Sequence, residues 1–466
     1  MPTKGSIRVG VSRPGPEKKK ARIANGKQLT PVKKPAVRRP PTSPSKSLSK
    51  AKAVSETAHI IEPTPPSRPC KSFVIVSGSY EKLLYGLEGS FPEPSEASTS
   101  TAPVPTLKPK FIFPAHVGSV RAIATSPDGG KWLATGSTDE IVKVWNLKRR
   151  KEIGGLVQHD GSITYLGFPT RSTLVSASED GTIALFRVRG WELLRSLKGH
   201  TGRVNCVAVH PSGKVALSVG KDRTLRMWDL IRGKGVASVK LGKEGELVRW
   251  NAEGTMFAVG ATKEVDLYTT DMKLLSTISH PSRIHDVRFC KTDDGASEVL
   301  LVTAEDKKVS IYQLPEGEGA AVVIAELFGH TNRVKSVDTI QVSLPAVDDA
   351  SRTTVYAVTA SSDGFINLYD LAAIPKPSSD AATSPLQISP ITSYNTKGTR
   401  LTCVAFAEGE VEGDDIALAV NGKRKRDDEE ETDVIDASEL GEEEEEVEEE
   451  EEEFGGFEGE KDDEHL

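Results

Sequence analysis

Between residues 199 and 230 the chain reads GHTGRVNCVAVHPSGKVALSVGKDRTLRMWDL. Three short runs, VNCVAV, VALSV and TLRMW, are rich in β-branched residues, and Pro-Ser-Gly and Gly-Lys-Asp-Arg separate them. That is the pattern of strands joined by tight turns. So small a sheet has apolar faces that it cannot bury alone, and it needs copies of itself.

The copies are present. Asp139, Asp180, Asp222, Asp306 and Asp363 each have an aromatic residue six positions later: Trp145, Phe186, Trp228, Tyr312 and Tyr369. Upstream of each Asp stands a His, at His116, His159, His200, His280 and His330. Four of the five also carry a hydroxyl four residues before the Asp: Thr135, Ser176, Ser218 and Thr359. The first three Asp residues are about 41 residues apart, the period of four-stranded propeller blades.

This recurring register of four residue types resembles the WD40 family. The resemblance implies that each Asp accepts a bond from its His, that the His meets the hydroxyl, and that the hydroxyl meets the Trp N–H. A half-buried carboxylate and imidazole are tolerable only when satisfied in this way. The His, Asp and hydroxyl residues therefore read as structural pins and not as a catalytic set. Phe186, Tyr312 and Tyr369 have no indole donor, so their blades are expected to be held less firmly.

Composition matters mainly at the ends. Residues 1–70 carry 16 Lys and Arg against 3 acids, and residues 427–466 carry 24 acids against one Lys. The formal net charge of −7 hides this polarity. Neither end has the apolar content to offset ordering entropy, so both are expected to be disordered. Cys70, Cys206, Cys290 and Cys403 are far apart, and no pair has zinc-ligand spacing. Free thiols in strand runs suit a reducing compartment. No apolar run is long enough to span a bilayer, and no secretory signal is evident.

The basic end contains KKKAR, with Lys18, Lys19 and Lys20, and PVKKPAVRRP, with Lys33, Lys34, Arg38 and Arg39. Lys423, Arg424, Lys425 and Arg426 form a second compact cluster before the acidic run. Such clusters fit nuclear import or phosphate contact. The propeller is expected over residues 71–421, between a basic extension, 1–70, and a basic cluster with an acidic tail, 422–466. Blades one to three carry the clear repeats. The fourth, VRWNAEGTMFAVGATKEVDLYTT, keeps the strand rhythm without the His and the Asp. The fifth begins at His280 and the sixth at His330, the latter with an inserted loop, SLPAVDDASRTT.

After the linker PKPSSDAATSP, TRLTCVAF supplies one apolar strand with no partners behind it. At the front, FVIVSGS, YEKLLYGLEG and KFIF supply strands without a first one; Glu81 takes the Asp position there. The economical fold is all-β: a seven-bladed propeller closed by a blade shared between the N-terminal and C-terminal strands. Such closure removes exposed sheet edges. IALAV, residues 416–420, is a further candidate strand.

One pattern exceeds what folding requires. Arg203, Arg283, Arg333 and Arg400 stand just before the inner strand of four blades, where blades one and two have Ser119 and Ser162. The propeller's rotation would bring them to one rim, a field suited to carboxylate or phosphate. Pairing between neighbouring blades is the competing reading.

SGSYEKLLYGLEG, HPSGKVALSVGKDRTLRMWDLIRGK with VRWNAEG, ASSDGFINLYDL and TRLTCVAF are together similar to a narrower family. It comprises the fungal maintenance-of-killer eleven protein and the animal PAK (p21-activated kinase)-interacting protein. The resemblance implies a nucleolar, non-catalytic scaffold in biogenesis of the 60S large ribosomal subunit. It would bind pre-60S assembly factors, ribosomal proteins or pre-rRNA, with the arginine rim as a docking candidate. A negative regulator docking on a p21-activated kinase is the alternative, and a histone or chromatin adaptor a third reading prompted by the acidic tail. The resemblance brings no cofactor, metal or catalytic residue, and no phosphate-cradling glycine loop or nucleophile elbow is present.

Overall fold

The computed structural model describes residues 72–91 and 104–409, apart from 128, 293–294, 296, 316–318, 345–351 and 375–383. These residues form seven sheets of a β-propeller, antiparallel apart from one added strand in blade five, and the only described helix is one 3-10 turn, Leu371–Ala373. Period-2 apolar runs broken by tight turns produce this result, because each run can pair with its neighbour through a short hairpin. Blade one starts with the inner strand Val120–Thr125, blade two with Ile163–Thr170 and blade three with Val204–Val209. Blades four, five and six start with Leu247–Trp250, Ile284–Lys291 and Val334–Ser343.

The seventh blade is composite. Its inner strand, Leu401–Glu408, pairs antiparallel with Phe73–Ser79, and Leu83–Ser90 and Thr106–Pro114 complete the sheet. Phe73, Ile75, Tyr85, Leu87 and Phe406 pack on Val342, Tyr356 and Val358 of blade six. Val76, Leu84 and Ala407 pack on Leu133 and Trp145 of blade one. The ring is therefore closed by apolar contact on both sides of the shared blade. The approach is tight: a Cβ on Gly130 would lie 2.4 Å from the Glu408 carbonyl, and Gly130 has φ of +54°. Glycine is the residue that meets both demands.

Two strands in the stretch after the linker were not anticipated. Leu386–Ile388 adds to blade five, parallel to Val322–Leu327, making that sheet five-stranded. Thr392–Asn395 then returns as the outer strand of blade six. This strap ties the two blades together, with Ile388 buried beside Leu327 and Tyr369. The inserted loop of blade six is shorter than its sequence suggested, because flanking residues extend the strands to Ser343 and back from Thr353. Residues 416–420 lie outside the described residues, as do Cys70 and both charged ends. Cys206, Cys290 and Cys403 are free and buried.

Candidate binding surface around the channel mouth

In each four-stranded blade, the loop entering the inner strand and the second hairpin share one end of the sheet. That end is the upper face, and it holds the His and Asp residues. In blade one, His116 Nδ1 donates to Asp139 at 2.9 Å, Thr135 bonds Nε2 at 2.8 Å, and Trp145 Nε1 donates to the Thr135 hydroxyl at 2.9 Å. Blade three repeats this with His200, Asp222, Ser218 and Trp228 at 2.9, 2.7 and 2.7 Å. Blade two brings together His159, Asp180 and Ser176, and Phe186 packs without donating. Blade six brings together His330, Asp363 and Thr359, while the Tyr369 hydroxyl donates to the Phe328 carbonyl at 3.0 Å.

Burial alone would raise the pKa of Asp222, but bonds from Thr224 and His200 outweigh it and hold the carboxyl below its usual value. Burial also lowers the pKa of His200 more than Asp222 restores it. The pair therefore sits as neutral imidazole beside carboxylate.

Blade five departs from the register. His280 Nδ1 accepts from the Ser282 N–H at 3.3 Å, and Asp306 lies 3.6 Å from Nε2. Neither buried Asp306 oxygen has a hydrogen-bond partner. The difference is local: the hydroxyl position is Val302, which is fully buried, so the ring meets Ser310 Oγ at 3.5 Å through Nε2 and its own loop through Nδ1. Blade four, without the His and Asp of the register, uses ion pairs that the repeat pattern did not reveal. Lys243 reaches Glu264 at 2.6 Å and Asp266 at 2.8 Å. Burial works against the Lys243 charge, yet the two carboxylates hold its pKa above the usual value.

Each rim arginine meets a carboxylate. Arg203 pairs with Glu244 at 3.1 Å, and Arg283 grips both oxygens of Glu246 at 3.0 and 3.1 Å. Arg400 bonds Glu81 at 3.0 Å and lies over the Tyr80 ring at 4.4 Å. Arg333 is only 3.9 Å from Glu305. Glu246 is itself the rim residue of blade four, preceding Leu247. The rim is thus not a uniform arginine field. Arg203, Arg283 and Arg333 pair with carboxylates of an adjoining blade or its entry loop, the competing reading of the sequence, and those carboxylates come from different positions in different blades.

Positive charge gathers between blades five and six, where Arg283, Arg333 and Lys335 share Glu246 and Glu305. Lys335 Nζ meets His285 Nε2 at 3.4 Å, and Glu305 is 3.7 Å from the same nitrogen. Burial, with Arg333 beside it, lowers the Lys335 pKa to about 8. Burial, then Lys335, Arg333 and Arg283, lowers that of His285 to about 4. Arg283, while holding Glu246, and Arg333 both lie near this pair, whereas Arg203 and Arg400 meet Glu244 and Glu81 away from it. Below the mouth, the inner strands line a central cavity of about 420 Å³ that includes Tyr165, Arg249, Asp286 and Asp338. Arg249 bonds Asp286 at 3.1 Å, and Arg288 bonds Asp338 at 2.6 Å. No cluster of three His, Cys, Asp or Glu suited to a metal ion occurs among the described residues. The import candidates at residues 18–39 and 423–426 lie outside them.

The family model described as WD domain, G-beta repeat, matches residues 107–146, 150–187 and 191–229. The chain is 34% identical over 298 residues to p21-activated protein kinase-interacting protein 1-like of Danio rerio, spanning 64% of this chain and 73% of the relative. It is 30% identical over 405 residues to Protein MAK11 of Saccharomyces cerevisiae, spanning 79% of this chain and 89% of that protein. Shk1 kinase-binding protein 15 of Schizosaccharomyces pombe is 29% identical over 301 residues, spanning 63% and 76%. Repeat register, closed seven-bladed ring and these identities together make the chain a member of the WD40 propeller family that includes p21-activated protein kinase-interacting protein 1 and MAK11.

Proposed function

We propose that this chain is a non-catalytic scaffold of precursors of the large ribosomal subunit. Its mouth between blades five and six would dock an acidic segment of a partner protein. One observation carries the docking reading: Lys335 is half-buried among Arg283, Arg333 and His285, and among the described residues its ammonium bonds the His285 imidazole, with Glu305 beside that ring at 3.7 Å. A carboxylate arriving there would relieve like-charge crowding in a partly desolvated site. The ribosomal setting rests on the resemblance of the blade sequences to the maintenance-of-killer eleven group. The basic clusters at 18–39 and 423–426 support a nuclear and nucleolar location.

The test is gradient sedimentation of the tagged full chain carrying Lys335→Glu and Arg333→Glu, beside its melting curve. The variant should melt like the parent and leave the large-subunit precursors. A folded variant that still co-migrates fully sinks the mouth as the docking point. A chain that never co-purifies with pre-rRNA or large-subunit proteins sinks the ribosomal reading itself. The names of the animal and Schizosaccharomyces pombe relatives favour a second reading, kinase binding. A p21-activated kinase recovered in place of ribosomal proteins would support it.

A further inference from the structure

The propeller is electrically lopsided. Residues 120–240, blades one to three, hold 20 Lys and Arg against 10 Asp and Glu. Residues 247–395, blades four to six, hold 12 against 19. The excess is also localised. The turn joining the third and outer strands lies on the lower face, opposite the His–Asp loops. In blade one this turn and its flanks read Lys148, Arg149, Arg150, Lys151; in blade two Arg187 and Arg189; in blade three Arg232 and Lys234. The same turn in blade four is TDMK, and in blade five it is LPEGEGAA, which has no cation.

The three turns adjoin. Trp132 of blade one meets Trp191 in the blade-two turn, with ring centroids 5.5 Å apart. Arg195 on the outer strand of blade two lies so close to Gly233 in the blade-three turn that a Cβ there would come within 2.8 Å of it. Arg187 and Arg232 have carboxylate neighbours, Glu192 at 3.4 Å and Asp229 at 3.7 Å. Lys148, Arg150, Lys151, Arg189, Lys214 and Lys234 are exposed and meet no carboxylate among the described residues.

We infer that this lower edge of blades one to three is a contact surface for the phosphate backbone of RNA. A row of unpaired cations spread over three blades suits a long polymer whose charge repeats regularly. The exposed apolar side chains Ile153, Leu193 and Val236 stand on the outer strands, off the turn row, and Ile231 is the one exposed within it. Trp132 and Trp191 are packed edge-to-face on each other, so the edge reads charge and not bases. The surface is distinct from the channel mouth, and the inference does not rest on the docking reading.

The test is fluorescence anisotropy of the purified full chain with a labelled RNA duplex of about 20 base pairs, titrated at several salt concentrations. Lys151, Arg189, Arg195 and Lys234 are changed together to Gln. A control changes Lys263, Lys291, Lys307 and Arg352 to Gln on the opposite half. Each phosphate contact contributes a slope of about 0.7–0.9 to the fall of log K with log salt. The edge variant should lose about 3 from that slope and bind about tenfold or more weakly at low salt, with an unchanged melting curve. The control should stay within about twofold of the parent. Equal affinity and slope for edge variant and parent overturn the inference, as does an equal loss in the control. A labelled polyglutamate that binds the full chain more tightly than the duplex at equal charge concentration, and loses that binding in the edge variant, overturns it in favour of an acidic protein partner.

Discussion

A buried imidazole and carboxylate stabilise a blade only when each polar atom finds a partner, and the blades differ in this one respect. In blade three, Asp222 accepts from His200, Thr201 and Thr224, so Asp222→Ala strands several donors. The expected cost is on the order of 1–3 kcal/mol. Asp306 in blade five holds no such bonds, and Asp306→Ala should cost clearly less in the same denaturant titration. Equal costs would contradict the unbonded geometry at Asp306. His285 gives a pH signature. Its folded pKa of about 4 lies below the unfolded value near 6.5, so the unfolded chain binds more protons through that window. Stability therefore falls as pH falls from about 6.5 towards 4, and the lowered pKa values of His116 and His200 act in the same direction. His285→Gln should lose less melting temperature than the parent between about pH 7 and pH 5. An identical loss in both would show that His285 takes a proton freely when folded. The residue types of the pins were legible because four of them recur at fixed spacing. The Lys243–Glu264–Asp266 group was not, since one isolated lysine before a degenerate repeat has no register to compare with.

At the scale of strands, closure was legible from a mismatch: one apolar strand too many at the back and one too few at the front. Tyr85 bonding Thr399 at 2.8 Å and Ser77 bonding the Cys403 carbonyl at 2.9 Å show how far along the chain the closing contacts reach. Deleting residues 397–466 removes the inner strand of the shared blade and uncovers the clusters around Phe73 and Val76. That protein should fail to unfold cooperatively, whereas deletion of 427–466 should leave the melting curve unchanged. Calorimetry on both decides it, and two curves like that of the full chain would refute closure by Leu401–Glu408. The strap was not legible for a physical reason. Leu386–Ile388 is three residues long, pairs in parallel and lies between Pro385 and Pro390, and Thr392–Asn395 is short and polar. Neither has a periodic signal, and tertiary pairing with existing blade edges decides both.

For the whole chain, charge is distributed along three levels: a basic first 70 residues, a propeller with a basic lower edge on blades one to three, and an acidic last 40. Composition alone disclosed the two ends, but the basic edge needed the topology, because its cations come from three turns about 40 residues apart in sequence. The 24 acids of residues 427–466 are opposite in charge to that edge and to the first 70 residues, and they are expected to compete with RNA for the same cations. The competition is electrostatic and exposed, and with a Debye length of about 8 Å at physiological ionic strength it must weaken as salt is added. Removing 427–466 should therefore raise affinity for the RNA duplex at low salt, and the gain should shrink steadily as salt rises. Combining the truncation with the four Gln substitutions on the edge locates the effect. If the tail competes at the edge, most of the gain disappears in the combined protein; if it competes at the first 70 residues, the gain persists. Equal RNA affinity for full and truncated chains at every salt concentration would remove the tail from RNA binding altogether and leave its acids to a basic partner protein.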